Sequence, residues 1–144
     1  RVKTIGAEFI SRDFEHDIYY NQPERMAPVS TVRLRIVNKA EGLFTLKSAV
    51  SGNNSRNLKI RKEWETSIGN PDVFKAILQE LGFCPYREKE KIRETYRLKK
   101  ALICLDRIPF IGWYAEIEGK EPQIKRIAGQ IGLNFKKSIP ESYF

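Results

Sequence analysis

Residues 31–38 read Thr-Val-Arg-Leu-Arg-Ile-Val-Asn, and this stretch decides the fold. Valine, leucine and isoleucine alternate with Arg33 and Arg35, which is the period of two that an extended strand imposes on its side chains. One face of the strand is therefore apolar, while the other carries two arginines. A strand with one apolar and one polar face is typical of an antiparallel sheet that is covered on one side.

The same period of two recurs on both sides of this stretch. Connections such as Lys39–Gly42 and Ser51–Asn57 are polar and turn-like, and short connections favour antiparallel neighbours. Seven strands are predicted: Phe14–Asn21, Thr31–Asn38, Leu43–Ala49, Leu58–Ile68, Arg87–Leu98, Ala101–Arg107 and Trp113–Glu118.

Two segments change to helical spacing. Asn70 is a suitable N-cap for a helix with Pro71 at its first position, and Pro122 opens a second apolar helical pattern. Each pattern ends at a glycine between apolar residues, Gly82 or Gly132, which is typical of a helix that ends in the left-handed conformation. Strands and helices together predict the α+β class.

The beginning of the chain resembles such a helix end. Gly6 lies between Ile5 and Ala7 with almost nothing before it, so we expect the chain to begin inside a helix whose start is missing. Since no repeat or linker interrupts the pattern, residues 1–144 are predicted to form a single domain.

Composition limits the function. The chain carries 26 Lys plus Arg against 18 Asp plus Glu, and the net charge of +8 implies an anionic partner. No apolar run approaches the roughly 20 residues of a membrane span, so no membrane partner is expected. Cys84 and Cys104 suit reduced thiols in a cytoplasmic protein, and a single histidine, His16, argues against a His-rich metal site or a Ser/His/Asp triad.

The distribution of charge over the strand faces is the most informative feature. Cations share one face on some strands, and carboxylates share one face on others. The rows are Arg33 and Arg35, Lys47 with Thr45, Lys59 with Arg61, Glu63 and Glu65, Lys89 with Lys91 and Arg93, Asp106 with Cys104, and Glu116 with Glu118.

A solvated polar face would explain such rows in an arbitrary sheet, but it usually mixes the two signs. Here Glu63 and Glu65 lie on one side of a strand, roughly 6–7 Å apart, as do Glu116 and Glu118. Such pairs are unfavourable without a cation nearby, and carboxylate oxygens suit Mg²⁺ or Mn²⁺. Rows of arginine and lysine suit phosphate oxygens. The combination indicates a metal–polyphosphate complex.

At these residues the sequence resembles the CYTH superfamily, and within it the class IV adenylate cyclase branch. The resemblance runs over nearly the whole chain and depends on the order and spacing of several short motifs. They include His16 to Tyr20, Val32-Arg33-Leu34-Arg35, Thr45-Leu46-Lys47, Arg61 to Glu65, Lys91-Ile92-Arg93, Leu105-Asp106 and Glu116-Ile117-Glu118.

The resemblance implies a closed antiparallel β-barrel, the triphosphate tunnel, with helices packed outside and activity that depends on Mg²⁺ or Mn²⁺. It implies that the phosphate-binding residues are Arg33, Arg35, Lys47, Arg61, Lys91 and Arg93. It implies that the metal is held, directly or through water, by Glu63, Glu65, Asp106, Glu116 and Glu118.

One departure from the family concerns the Glu-x-Glu-x-Lys motif of the first strand, which this sequence does not contain. We therefore expect that the first strand and most of the first helix are absent from this chain. The missing lysine would lie near the chemistry, so no general base is assigned.

Family members convert ATP to cyclic AMP and pyrophosphate, or hydrolyse thiamine triphosphate, nucleoside triphosphates or tripolyphosphate. The resemblance favours the cyclase and leaves the hydrolase as the alternative. A third hypothesis is a non-catalytic module that binds polyphosphate or nucleic acid, although the acidic pairs would repel nucleic acid in the absence of metal. Family members are often dimers, so a homodimer is compatible with the resemblance, but no stripe of this sequence indicates an interface.

Overall fold

The computed structural model describes residues 1–24, 31–49, 61–135 and 138, with the backbone alone at residues 49 and 61. A short 3₁₀ helix, Lys3–Ile5, precedes the strands. Within the described residues the strands are β1 (Glu8–Asn21), β2 (Thr31–Val37), β3 (Glu41–Ala49), β4 (Arg61–Ile68), β5 (Cys84–Leu98), β6 (Ala101–Ile108) and β7 (Gly112–Glu118). The helices are α1 (Pro71–Glu80) and α2 (Glu121–Ile131).

The strands form a single sheet in the order β4-β3-β2-β1-β5-β6-β7. Antiparallel registers join β1 to β2, β2 to β3 and β3 to β4, and also β5 to β6 and β6 to β7. The α+β class with an antiparallel sheet is thus confirmed. β4 and β7 stand at the two ends of the strand order, and closure into a barrel remains a prediction.

Contacts divide the chain into two compact units, and each is described by itself. The β2–β4 unit comprises residues 13–24, 31–49 and 61–91 of the described part. The β6–β7 unit comprises residues 1–12, 92–135 and 138.

The core of the β2–β4 unit covers the apolar face of its strands. Leu34 of β2 is fully buried, and it packs with Ile18 of β1 and with Leu78 and Phe74 of α1. The side chain of Asn70 caps α1 by accepting a hydrogen bond from the Val73 amide at 3.1 Å. The helix therefore lies on the apolar face and leaves the arginine face uncovered by α1.

The core of the β6–β7 unit follows the same plan. Tyr96 of β5 and Ile103 of β6 lie on one face of the strands and pack against Ile127 and Ile131 of α2. Ile103 and Ile127 are both fully buried. Alternation along β5 and β6 consequently turns Arg93 and Asp106 to the opposite face.

The predicted helix ends are confirmed. Gly82 has φ of 85° and Gly132 has φ of 82°, both in the left-handed region that glycine adopts without a Cβ clash. The amide of Phe83 donates to the Leu78 carbonyl at 2.9 Å, which closes the Schellman turn after α1. Gly6 also has a positive φ, but the helix described before it is the three-residue 3₁₀ helix.

Two strands begin three or more residues before the prediction. β1 begins at Glu8 rather than Phe14, and β5 begins at Cys84 rather than Arg87. Most residues added at the two starts are exposed, so they lack the alternation of burial on which the prediction depended. Pro85 also opposes a strand assignment because proline cannot donate to a ladder. The first three residues of the predicted strand Leu58–Ile68 lie outside the described residues. No helix among the described residues is long and apolar enough to cross a membrane.

Candidate functional site

One face of the β2–β4 unit brings cations and carboxylates together across four strands. The ladder register determines which side chains are direct neighbours on this face. The opposed pairs are Asp17 with Arg35, Tyr19 with Arg33, Arg33 with Thr45, Thr31 with Lys47, Thr45 with Glu65, and Lys47 with Glu63.

Arg35 is held by two buried acids. Its Nε donates to Asp17 Oδ1 at 2.6 Å and its Nη2 donates to Asp17 Oδ2 at 3.0 Å, while Nη1 donates to Glu15 Oε1 at 3.1 Å. Asp17 is fully buried. Burial alone would raise the pKa of Asp17, but hydrogen bonds and charge from Arg35 outweigh it and hold the pKa well below its usual range. The pair is therefore ionised.

Arg33 lies two residues before Arg35 on the same face of β2, and its guanidinium makes fewer hydrogen bonds. Its Nη2 donates to Thr45 Oγ1 at 3.0 Å and lies 3.5 Å from Glu65 Oε2. The Nε of Arg33 is buried and has no hydrogen-bond partner among the described residues. Leaving a buried charged donor unsatisfied is costly, so this atom suits an anionic acceptor supplied by a ligand.

Two lysines continue the cationic row. Lys47 Nζ lies 2.7 Å from Glu63 Oε1, and the side chain of Lys91 is 2% exposed with its Nζ 3.3 Å from Glu15 Oε2. A lysine that is nearly inaccessible is rare unless it is paired, and the buried acid beside Lys91 offsets its charge. The β2–β4 unit thus collects Arg33, Arg35, Lys47 and Lys91.

Tyr19 adds a hydroxyl to this face. Burial first, and the charge of Asp17 second, raise the pKa of Tyr19 to about 12. Its hydroxyl donates to Asp17 Oδ2 at 3.4 Å, and Lys89 Nζ lies 5.5 Å from the ring centroid. The phenol therefore stays protonated at neutral pH and acts as a hydrogen-bond donor.

The β6–β7 unit carries a second cluster around Arg93. The Nε and Nη2 of Arg93 donate to the two carboxylate oxygens of Asp106, each at 2.6 Å, and Nη2 also donates to Glu116 Oε2. Asp106 is fully buried, whereas the side chain of Glu116 is 36% exposed. Cys104 lies directly opposite Glu116, and burial is the main cause that raises the pKa of its thiol, which is therefore neutral.

The carboxylates are of the ligand type that a divalent metal prefers, but they do not form a preorganised coordination site. Within the described parts of the chain, no three His, Cys, Asp or Glu side chains converge in a metal-binding arrangement. Glu63 with Glu65, and Glu116 with Glu118, nevertheless each supply two carboxylates on one strand face. Mg²⁺ commonly binds to one or two carboxylates and completes its shell with phosphate oxygens and water, so these pairs fit that ion together with a phosphate ligand.

The remaining sequence-predicted residues are placed as follows. Glu118 is exposed and lies opposite Leu102, and the backbone of Arg61 pairs with Ala49 while its side chain is not among those described. Lys59 lies outside the described residues.

Sequence reasoning did not identify Glu15 and Asp17 as members of the site. They alternate with His16 and Ile18 in a predicted strand, and that alternation is the signal that identifies them. Acids at every second position are equally typical of an exposed strand face, so only the observed burial, 6% exposed for Glu15 and none for Asp17, reveals their place.

Fold and site together define a class: α+β proteins with an antiparallel sheet whose polar face holds buried guanidinium groups beside carboxylates. The sequence profile of the CYTH domain matches residues 1–137, and the chain belongs to this family.

This chain is also similar to known proteins, by sequence to one and by fold to others. A relative from Methanocaldococcus jannaschii, named "Putative adenylate cyclase MJ0240", is 29% identical over 119 residues, which are 82% of this chain and 66% of that protein. The match therefore spans just under two thirds of the relative's length. The PH1012 protein of Pyrococcus horikoshii has a TM-score of 0.80 at 23% identity, covering 99% of this chain and 87% of that one. A "putative adenylate cyclase" from Vibrio parahaemolyticus has a TM-score of 0.74 at 22% identity, covering 99% of this chain and 84% of that one.

Proposed function

We propose that this protein processes a triphosphate with a divalent metal and that its reaction converts ATP to cyclic AMP and pyrophosphate. The observation that carries the proposal is the buried Nε of Arg33, a charged donor without an acceptor among the described residues. Family membership supports triphosphate chemistry, and the name of the relative from M. jannaschii favours the cyclase.

The cationic side chains bind the phosphates in this proposal. Arg33, Arg35 and Lys47 line one face of the β2–β4 unit, Lys91 contacts the same Glu15 as Arg35, and Arg93 belongs to the β6–β7 unit. Arg61 is assigned to the same group by the resemblance. Guanidinium forks bind phosphate oxygens bidentately, and burial keeps water from screening their charge.

The exposed or half-exposed carboxylates hold Mg²⁺ or Mn²⁺ in this proposal. Glu63 and Glu65 are partners of Lys47 and Arg33, and Glu116 is the partner of Arg93. When bound, the metal supplies positive charge beside the phosphate oxygens. The role of Glu118 as a further ligand rests on the resemblance, as does that of Asp106.

In cyclisation the ribose 3′-hydroxyl attacks the α-phosphorus and pyrophosphate departs in line. The negative charge that develops on the leaving group is stabilised by arginines whose orientation is fixed before the substrate arrives, so little reorganisation is needed in the transition state. Tyr19 contributes a neutral donor on the same face. The same cations would serve water attacking the terminal phosphorus, which is the hydrolytic alternative.

The test is product analysis with ATP and Mn²⁺. Cyclic AMP with pyrophosphate supports the cyclase, whereas orthophosphate without cyclic AMP would replace it by a triphosphatase. Glu116→Gln should abolish turnover, while Glu121→Gln on the exposed start of α2 should leave it unchanged. Binding of tripolyphosphate without turnover of any triphosphate would leave a non-catalytic binding module.

The closed barrel, a homodimer and a cytoplasmic location are implied by the resemblance and by composition. They remain predictions alongside this function, as does a single domain over residues 1–144.

A further inference from the structure

The two units contain the same arrangement of an aspartate and an arginine. Asp17 lies directly opposite Arg35 between β1 and β2, and Asp106 lies directly opposite Arg93 between β5 and β6. Both aspartates are fully buried, and the arginines are only 8% and 9% exposed. In each pair the carboxylate binds the Nε and Nη2 of the guanidinium.

This contact fixes the plane of each guanidinium. Two parallel hydrogen bonds of 2.6 to 3.0 Å leave the fork no freedom to rotate about its long axis. Glu15 accepts from a further nitrogen of Arg35, Nη1, whereas Glu116 accepts from Nη2 of Arg93, which also donates to Asp106. Each arginine is therefore preoriented by an acid pair before any ligand binds.

The geometry also separates the aspartates from the other acids of the site. Both oxygens of Asp106 accept hydrogen bonds from Arg93 at 2.6 Å, and no part of the residue is exposed. Glu116 is 36% exposed at its side chain, and Glu118 is exposed. Both oxygens of Asp106 are thus engaged with Arg93 and shielded from solvent, whereas the two glutamates present oxygens that an ion can reach.

Stability alone does not account for these pairs. Replacing a buried ion pair by apolar residues of similar volume is often neutral or stabilising, so such a pair is weak evidence of a purely structural role. In contrast, a buried carboxylate fixes the direction of a guanidinium, and an apolar pair of residues has no such effect. A phosphate-binding arginine requires that direction.

We propose that Asp17 and Asp106 are positioning residues, each of which orients an arginine that binds phosphate, and that neither contacts substrate or metal. This inference rests on the proposed function of a triphosphate site. For Asp106 it replaces the metal-binding role that the family resemblance implies.

The test measures tripolyphosphate binding by calorimetry in the presence of chelator, where metal ligation contributes nothing. Asp17→Asn and Asp106→Asn keep the shape of the side chain and remove its charge, and each should weaken binding about tenfold or more. Asp72→Asn is the matched control, because Asp72 is 90% exposed at its side chain and pairs only with Lys75 among the described residues. It should bind like the unmodified protein.

A double-mutant cycle tests whether Asp17 acts through Arg35. Arg35→Lys keeps the positive charge but loses the fork, so it should weaken binding about as much as Asp17→Asn. Adding Asp17→Asn to Arg35→Lys should then change binding by less than about twofold, because both remove the same oriented group. Fully additive losses would overturn the positioning role.

A spectroscopic measurement on the unmodified protein tests the same proposal without depending on whether the variants fold. In the unmodified protein, the Nε–H resonances of Arg35 and Arg93 should exchange slowly with water and persist when tripolyphosphate is added. Rapid exchange in both states would overturn the proposal, as would unchanged binding by a folded Asp17→Asn variant. A loss for Asp106→Asn that appears only with metal would restore Asp106 as a metal ligand. If the unmodified protein does not bind tripolyphosphate, the proposed function fails instead.

Discussion

Replacing Arg33 with methionine should weaken ligand binding strongly while leaving the fold almost as stable as before. Within the described structure the guanidinium makes one 3.0 Å hydrogen bond to Thr45 and one 3.5 Å ion pair with Glu65, and its Nε is buried without a partner. Methionine matches the arginine side chain only as far as Nε, and it carries no charge. The substitution therefore removes the favourable contacts with Thr45 and Glu65, and it also removes the unfavourable burial of an Nε without a hydrogen-bond partner.

The stability change follows from these terms. A hydrogen bond to a neutral hydroxyl contributes about 0.5–1.5 kcal/mol, and an ion pair whose acid is 46% exposed contributes less than about 1 kcal/mol. Relief of the unsatisfied Nε offsets about 1–3 kcal/mol in the other direction. The free energy of unfolding should consequently fall by no more than about 1.5 kcal/mol.

Binding should respond much more strongly. One lost hydrogen bond between a charged donor and a phosphate oxygen costs about 1.5–3 kcal/mol, which corresponds to about a tenfold to hundredfold weaker affinity. Urea denaturation measures the first quantity, and calorimetry with tripolyphosphate measures the second. Lys62→Met is the control for net charge, because Lys62 is exposed and its ammonium lies over the Trp64 ring on the other face of β4.

Two results would refute this reasoning. A loss of more than about 3 kcal/mol in stability would mean that Arg33 supports the fold. Unchanged affinity of Arg33→Met for tripolyphosphate, or an equal loss of affinity in Lys62→Met, would mean that the buried Nε of Arg33 does not contact the ligand.

Two predictions concern folding. The pKa of Asp17 is lowered in the folded state, so its stabilisation is present above the unfolded-state value of about 3.9 and is lost as the pH falls through the folded-state value. Urea denaturation from neutral pH into acid should therefore show a smaller fall in stability for Asp17→Asn, and parallel curves would count against the buried pair. Leu34→Ala should cost about 2–5 kcal/mol because the side chain is fully buried, whereas Val73→Ala at a 53% exposed position should stay within about 0.5 kcal/mol. Similar melting temperatures for these two variants would contradict the assigned core.

The fold was predictable where a local rule acts alone. Alternation along residues 31–38 reflects the pleat of a single strand, and Gly82 reflects the positive φ that a helix end requires. The strand start at Glu8 was not predictable, because its first residues are largely exposed and follow no pattern of burial. A pattern of alternating residue types predicts a strand only where one face of that strand packs against a core.

The site was predictable as a set of faces but not as a set of contacts. Alternation indicates that Arg33 and Arg35 share a face, yet it does not indicate which acids lie opposite them. That depends on the register between β1 and β2, which arises from packing between strands distant in sequence. Asp17 therefore escaped prediction, and so did the contact of Arg93 with both carboxylate oxygens of Asp106.

The ion pairs of the β2–β4 unit link the two halves of the proposed chemistry. Lys47 pairs with Glu63 and Arg33 with Glu65, so each of these two proposed phosphate-binding residues is neutralised by a proposed metal ligand. A triphosphate that binds the cations must displace these carboxylates, and the released carboxylates are then the oxygen ligands that a divalent cation prefers. Breaking the Lys47–Glu63 and Arg33–Glu65 ion pairs costs free energy. The triphosphate compensates the cations and the metal compensates the carboxylates, so each ligand is expected to strengthen the binding of the other by the same factor. In this proposal, Lys47 and Arg33 offset the repulsion between Glu63 and Glu65 when no ligand is bound, and the metal would offset it when the triphosphate is bound.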